Sequence, residues 1–209
     1  EEARANKLKI NWSEDCIITP NDIGPSSVSC SFEELIPFID WTPFFMTWEL
    51  AGKYPRILTD EIVGTQASEL FSDAQKMLKK IVAEVDMQPK GRFGIFKANS
   101  TGDDIEIQGQ SNCCCKSPVF PINFLRQQQK KPSGQANFCL ADFVAPKATN
   151  LTDHVGAFVV TAGEELDELS NYYEKNNDDY NSIMVKALAD RFAEAFAEKL
   201  HQDVRSNYW

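Results

Sequence analysis

Apolar residues recur at three- and four-residue spacing from about Gln66 to Val85, through Leu70, Ala74, Met77, Leu78, Ile81 and Val85, with Lys79, Lys80 and Glu84 between them. That period predicts one long amphipathic helix. A second long helix is predicted from about Tyr180 to Asn207, with Leu188, Phe192, Ala195, Phe196 and Leu200 on its apolar side, after a shorter one over Glu164–Glu174. Ser31 followed by Glu34 has the spacing of a capping box and predicts a short helix ending near Pro37 to Asp40. Thr42-Pro43 is read as the opening of another helix, with proline at its first position and Gly52 closing it.

The period changes in the middle of the chain. Phe93 and Ile95 alternate with polar or small residues, as do Ile105 and Ile107, and Asn99-Ser100-Thr101-Gly102-Asp103 between them has the composition of a hairpin loop. Further strands are predicted over Phe138–Val144 and Val155–Thr161. Loops are expected over Gln108–Pro118 and Lys130–Gly134, flanking a short element at Ile122–Gln128. Residues 1–30 read as an entry arm, anchored by Trp12 and Ile17-Ile18 and ending in the turn chemistry of Gly24-Pro25-Ser26-Ser27. Helices and strands are not regularly interleaved, so the fold class is α+β with an antiparallel sheet.

Composition narrows the function classes. The chain has 209 residues, 43% of them apolar, enough for one domain with a true core. A net charge of −10 opposes nucleic-acid binding, which needs clustered Lys and Arg. No run approaches the roughly 18 apolar residues of a membrane span, and Glu1-Glu2-Ala3-Arg4 does not open an apolar leader, so a cytoplasmic protein is expected. Six cysteines, at 16, 30, 113, 114, 115 and 139, form no CxxC pair, and only His154 and His201 are there to complete a metal site; free thiols are expected.

Two features bear on chemistry. Asp190, Glu194 and Glu198 follow at four-residue steps and line one helix face, where they repel each other and Lys186 and Arg191 offset part of the charge. Such a stripe is either a solvated surface or a surface that receives a cation. Asp40 lies between Phe38-Ile39 and Trp41, a setting in which a carboxylate is costly unless it is bonded. It is either a helix cap or a ligand contact. No P-loop, GxGxxG or GxSxG is present. Residue chemistry alone leads to an acidic α+β domain with a possible cation-binding cleft.

Longer segments go further. Ile39-Asp40-Trp41-Thr42-Pro43-Phe44-Phe45-Met46-Thr47-Trp48 with Leu50–Ile57, then Phe138–Pro146, then Asp178–Arg191 with Ala193–Glu198, together with Gly102–Ile105 and Leu125–Gln128, resemble the activation domain of cobalamin-dependent methionine synthase, in order from about residue 30 to 209. The resemblance implies a C-shaped α+β domain over residues 31–209 with a twisted antiparallel sheet flanked by helices. It implies a domain that presents S-adenosylmethionine for reductive methylation of cob(II)alamin, the cobalamin being held by another domain of the same enzyme. Flavodoxin or a related flavoprotein would supply the electron. By position, Asp40 corresponds to the aspartate that binds the ligand's amino group, Glu194 to an acidic residue lining the same site, and Asp190 to its neighbour one turn earlier. The family's helix corresponding to the one ending at Asn207-Tyr208-Trp209 is followed by a segment with an Arg-Pro-Ala-Pro-Gly-Tyr-Pro motif. A C-terminally incomplete domain is therefore expected, with a non-catalytic interaction module that caps a cobalamin domain or binds a flavoprotein as the alternative.

Overall fold

The computed structural model describes residues 1–85, 88–109 and 118–209. The triplet Cys113-Cys114-Cys115, and most of the loop expected around it, lies outside the described residues. The helices are α1 (Glu2–Ala5), α2 (Phe32–Leu35), α3 (Trp41–Thr47), α4 (Gly64–Glu84), α5 (Glu164–Lys175) and α6 (Asp179–Asp203); the strands are β1 (Gly24–Ser29), β2 (Lys90–Thr101), β3 (Asp104–Gln108), β4 (Val119–Asn123) and β5 (Asp153–Thr161). The sheet order is β1-β2-β3-β4, and β5 also pairs with β2. Both β2–β3 and β3–β4 are antiparallel, which makes the α+β reading correct. Among the described residues, no helix is long and apolar enough to cross a membrane.

The chain divides into two compact units. The first comprises residues 1–26, 93–158 and 206–209. Its centre is an apolar cluster of Ala98, Ile105, Cys139, Ala141 and Val144, with Ile107, Phe124 and Val155 packed against it. The β2–β3 hairpin turns on Gly102, whose φ of +69° is left-handed backbone that glycine adopts without steric cost. The loop expected over residues 99–103 is therefore only two residues long, and Asn99, Ser100 and Thr101 belong to β2. The side chains of the first two have distant partners: Ser100 Oγ donates to Val144 O at 2.8 Å, and Asn99 Nδ2 donates to Leu151 O at 2.8 Å and Ala145 O at 3.0 Å.

Phe138–Val144 is not the expected strand. Leu140–Phe143 forms a 3₁₀ turn, held where Asp142 Oδ2 accepts from Cys139 N at 3.0 Å. Residues Gly24–Ser27 are likewise strand rather than linker. The arm before them is stitched to this unit by Asn137 N donating to Asn6 O at 2.9 Å and by the Arg4–Asp103 ion pair. Trp12 is half-buried, whereas Ile18 is 72% exposed and its carbonyl accepts from Trp209 Nε1 at 2.9 Å. His154 is buried with an unbonded Nδ1 beside the Trp209 ring, and burial holds its pKa below the usual histidine value.

The second unit comprises residues 27–92 and 159–205 and is mostly helical. The long helix α6 is its spine, packed by α2, α3, α4 and α5. Its buried residues Met184, Val185, Leu188, Phe192, Ala195, Phe196 and Leu200 repeat the three- and four-residue spacing read from the sequence. An added Cβ at Gly91 of β2 would lie 3.2 Å from the Phe196 ring, so this glycine permits the strand to approach the helix closely. Asp178 caps α6 by accepting from Asn181 N at 3.1 Å, and Ser170 and Ser182 share a buried hydroxyl contact of 3.0 Å between α5 and α6.

Candidate functional site

The three carboxylates singled out in the sequence all fall in the second unit, on elements that pack together. Asp40 is the N-cap of α3: its backbone is extended, and Oδ1 accepts from Thr42 N at 2.9 Å. The helix thus starts at Trp41, two residues before Pro43, and proline occupies its third position. That is still within the first turn, where a backbone N–H has no intrahelical acceptor. The cap uses one carboxylate oxygen, and the residue is exposed. Behind it stands an aromatic cluster. Trp41 meets Phe44 and Phe71 edge-on, with centroids 5.3 and 4.8 Å apart, and Phe45 stacks on Tyr54 at 6.4 Å. Trp41, Phe44 and Phe45 are buried, so they serve as core and position Asp40 from behind.

Asp190 and Glu194 stand one turn apart on α6, both exposed, as is Glu198. Side chains at that spacing lie about 5–6 Å apart at Cβ. Glu194 is ion-paired through Oε2 with Arg191 Nη1, whereas Lys186 turns to Glu174 of α5 at 3.3 Å. Two ring contacts fix how the Asp40 segment lies on this helix. Phe32 of α2 packs on Phe192, with centroids 4.7 Å apart, and Trp48, just past α3, packs on Tyr180 at 5.1 Å. The segment from 32 to 48 therefore runs antiparallel to α6, and Asp40 falls between the two anchors. No hydrogen bond joins Asp40 to Asp190 or Glu194 among the described residues.

Two recesses in this unit had no signal in the sequence. A groove of 540 Å³ is lined by Ser27, Ser29, Lys90, Arg92, Val159 and Thr161, and a recess of 370 Å³ lies among Asp73, Lys76, Lys80, Tyr173, Tyr180 and Asn181. Neither is lined by the three carboxylates. In the smaller one Lys80 donates to Tyr173 OH at 2.7 Å, and burial together with the bond to Asp73 pushes Tyr180 up to about 12. The groove is lined by residues of three strands and the smaller recess by residues of three helices, each set brought together only by folding. Charge, too, is divided unevenly. The second unit carries 21 of the 31 acidic and 12 of the 21 basic residues, so nearly all of the −10 belongs to it.

The model of the family "Vitamin B12 dependent methionine synthase, activation domain" matches residues 31–209. The chain belongs to that family. The match begins at Ser31, so it covers every helix from α2 onward, including both elements that carry the candidate carboxylates. Among solved structures, this activation domain is similar to the MetH reactivation domain crystallised with AdoHcy, at 51% sequence identity and a TM-score of 0.90. The alignment covers 100% of this chain and 63% of that one, so the chain spans less than two thirds of the relative's length.

Proposed function

We propose that this activation domain holds S-adenosylmethionine as the methyl donor for reactivating the cobalamin of a methionine synthase, a cytoplasmic methyltransferase. The observation that carries the reading is the 51% identity, over the whole chain, to a reactivation domain crystallised with AdoHcy. When bound, S-adenosylmethionine supplies an electrophilic methyl group on its sulfonium. The residues of this chain supply binding and orientation. Asp40 accepts from the ligand's ammonium with the oxygen its cap does not use, and Glu194 faces the same ligand, with Asp190 one turn earlier adding negative charge. The chemistry of these donors fits a ligand that carries both an ammonium and a sulfonium. An acidic unit around the site raises the local concentration of such a cation. Residues 31–209 are the activation domain proper in this reading, with residues 1–30 as an arm. Its partners are the cobalamin-binding domain of the same enzyme and a flavodoxin-type reductant.

Asparagine caps a helix as well as aspartate does. Asp40→Asn in the full-length protein therefore leaves the melting temperature unchanged and weakens S-adenosylmethionine binding about tenfold, the low end for a charged hydrogen bond. Titration calorimetry reads this directly. Equal affinity in the two proteins would remove Asp40 from the site.

A further inference from the structure

Glu194 sits in a stripe of like charge, one turn after Asp190 and one turn before Glu198, all exposed. A glutamate there has three free side-chain torsions, and its neighbours push its carboxylate away from them. One cation counters this. Arg191, three residues earlier on α6, donates from Nη1 to Glu194 Oε2, and its own side chain is only 15% exposed while that of Glu194 is 48% exposed. Two nearby lysines pair elsewhere, Lys186 with Glu174 and Lys199 with Asp203. Arg191 is thus packed along most of its length, with a rigid planar head on a stripe carboxylate that is assigned to the ligand.

We propose that Arg191 is a positioning residue for ligand binding: it holds the Glu194 carboxylate in one orientation by engaging Oε2, so that Oε1 meets the cationic ligand without first being ordered. This rests on the reading of Glu194 given above. A carboxylate has about four acceptor sites, so the guanidinium and the ligand's cation bind it together. Pre-ordering a long side chain tightens binding because the entropy is already lost before the ligand arrives.

The test is a double-mutant cycle with S-adenosylmethionine titrated into the full-length protein. Arg191→Gln is expected to weaken binding about fivefold, and Arg191→Lys, which keeps the charge, less than threefold. In the Glu194→Gln background, Arg191→Gln is expected to add less than a twofold loss, because the group it acts through has gone. A fivefold loss that persists in that background marks a merely structural residue and overturns the proposal. So does tighter binding by Arg191→Gln, which marks a competitor for the carboxylate. A normal loss from Glu194→Gln with none from either Arg191 variant defeats the positioning role alone. No loss from Glu194→Gln defeats the ligand role of Glu194, and the positioning role with it.

Discussion

Arg126→Met is expected to destabilise the protein by about 3–5 kcal/mol, the cost of breaking a buried ion pair on one side. The Arg126 side chain is 1% exposed and is the hub of the first unit. Nη1 and Nη2 each donate to Asp142 at 2.6 Å, Nε and Nη2 donate to Asp103 Oδ1 at 3.0 and 2.8 Å, and Nη1 also donates to Asn137 O at 2.7 Å. Methionine fills the volume but leaves Asp142, 5% exposed, without its counter-charge and Asp103, 15% exposed, with the exposed Arg4 alone. Lysine does not rescue the site, because a single ammonium cannot reproduce the fork that binds both oxygens of Asp142. The check is the denaturant midpoint at constant slope; a loss under 1 kcal/mol would show that the network is dispensable.

The same hub sets the acid limit of this unit. Burial pushes the Asp142 carboxyl up, but the bonds from Arg126 and Cys139 N and the charge of Arg126 outweigh it, so the pKa lies below the usual aspartate value. The bond from Arg4, and those from Arg126, hold Asp103 low as well. Carboxylates with depressed folded pKa values contribute stability that is fully present above the unfolded value, about 3.9, and lost as pH falls through the folded ones. This contribution therefore persists down to about pH 4 and fades only below it.

Phe192→Ala is expected to cost about 3–5 kcal/mol, the transfer and cavity terms of a buried phenylalanine. Its ring is fully buried on α6 against Phe32, among Leu188, Ala195 and Phe196. Phe192→Leu retains most of the apolar volume and recovers most of the loss. Glu194→Gln, two residues on, costs under about 1 kcal/mol because its carboxylate is half in solvent. Thermal melts of the three variants give the comparison, and a loss below about 1.5 kcal/mol for Phe192→Ala would mean that this contact is not central to the core. The Phe32–Phe192 contact also anchors the segment that carries Asp40, so Phe192→Ala is expected to weaken S-adenosylmethionine binding through the placement of that segment, whereas Glu194→Gln acts through charge alone.

What was legible in the sequence was local or periodic. The Ser31 capping box is present as read, with Glu34 N donating to Ser31 Oγ at 3.3 Å and Ser31 N donating to Glu34 Oε2 at 2.8 Å. The long helices follow from their apolar spacing, and Asp40 is the cap that its place before a proline suggested. What was misread depended on distant partners. Asn99 and Ser100 look like loop residues until Val144, Ala145 and Leu151 supply their acceptors. Phe138 to Ala141 alternate in exposure as a strand would, yet Asp142, pinned by Arg126, folds the chain into a turn. The candidate site was legible only through the resemblance. Residue chemistry reached an acidic stripe, and neither the division of charge between two units nor the antiparallel path of Asp40 along α6 is visible before the chain is folded.

The measurement that tests the central claim most directly is titration calorimetry of S-adenosylmethionine into the full-length protein, with Asp40→Asn/Glu194→Gln beside it. Saturable one-to-one binding that is lost in the double variant, with both proteins melting at the same temperature, is the predicted result. Binding of equal strength in the two proteins, or absence of binding to the unmodified one, would contradict the account.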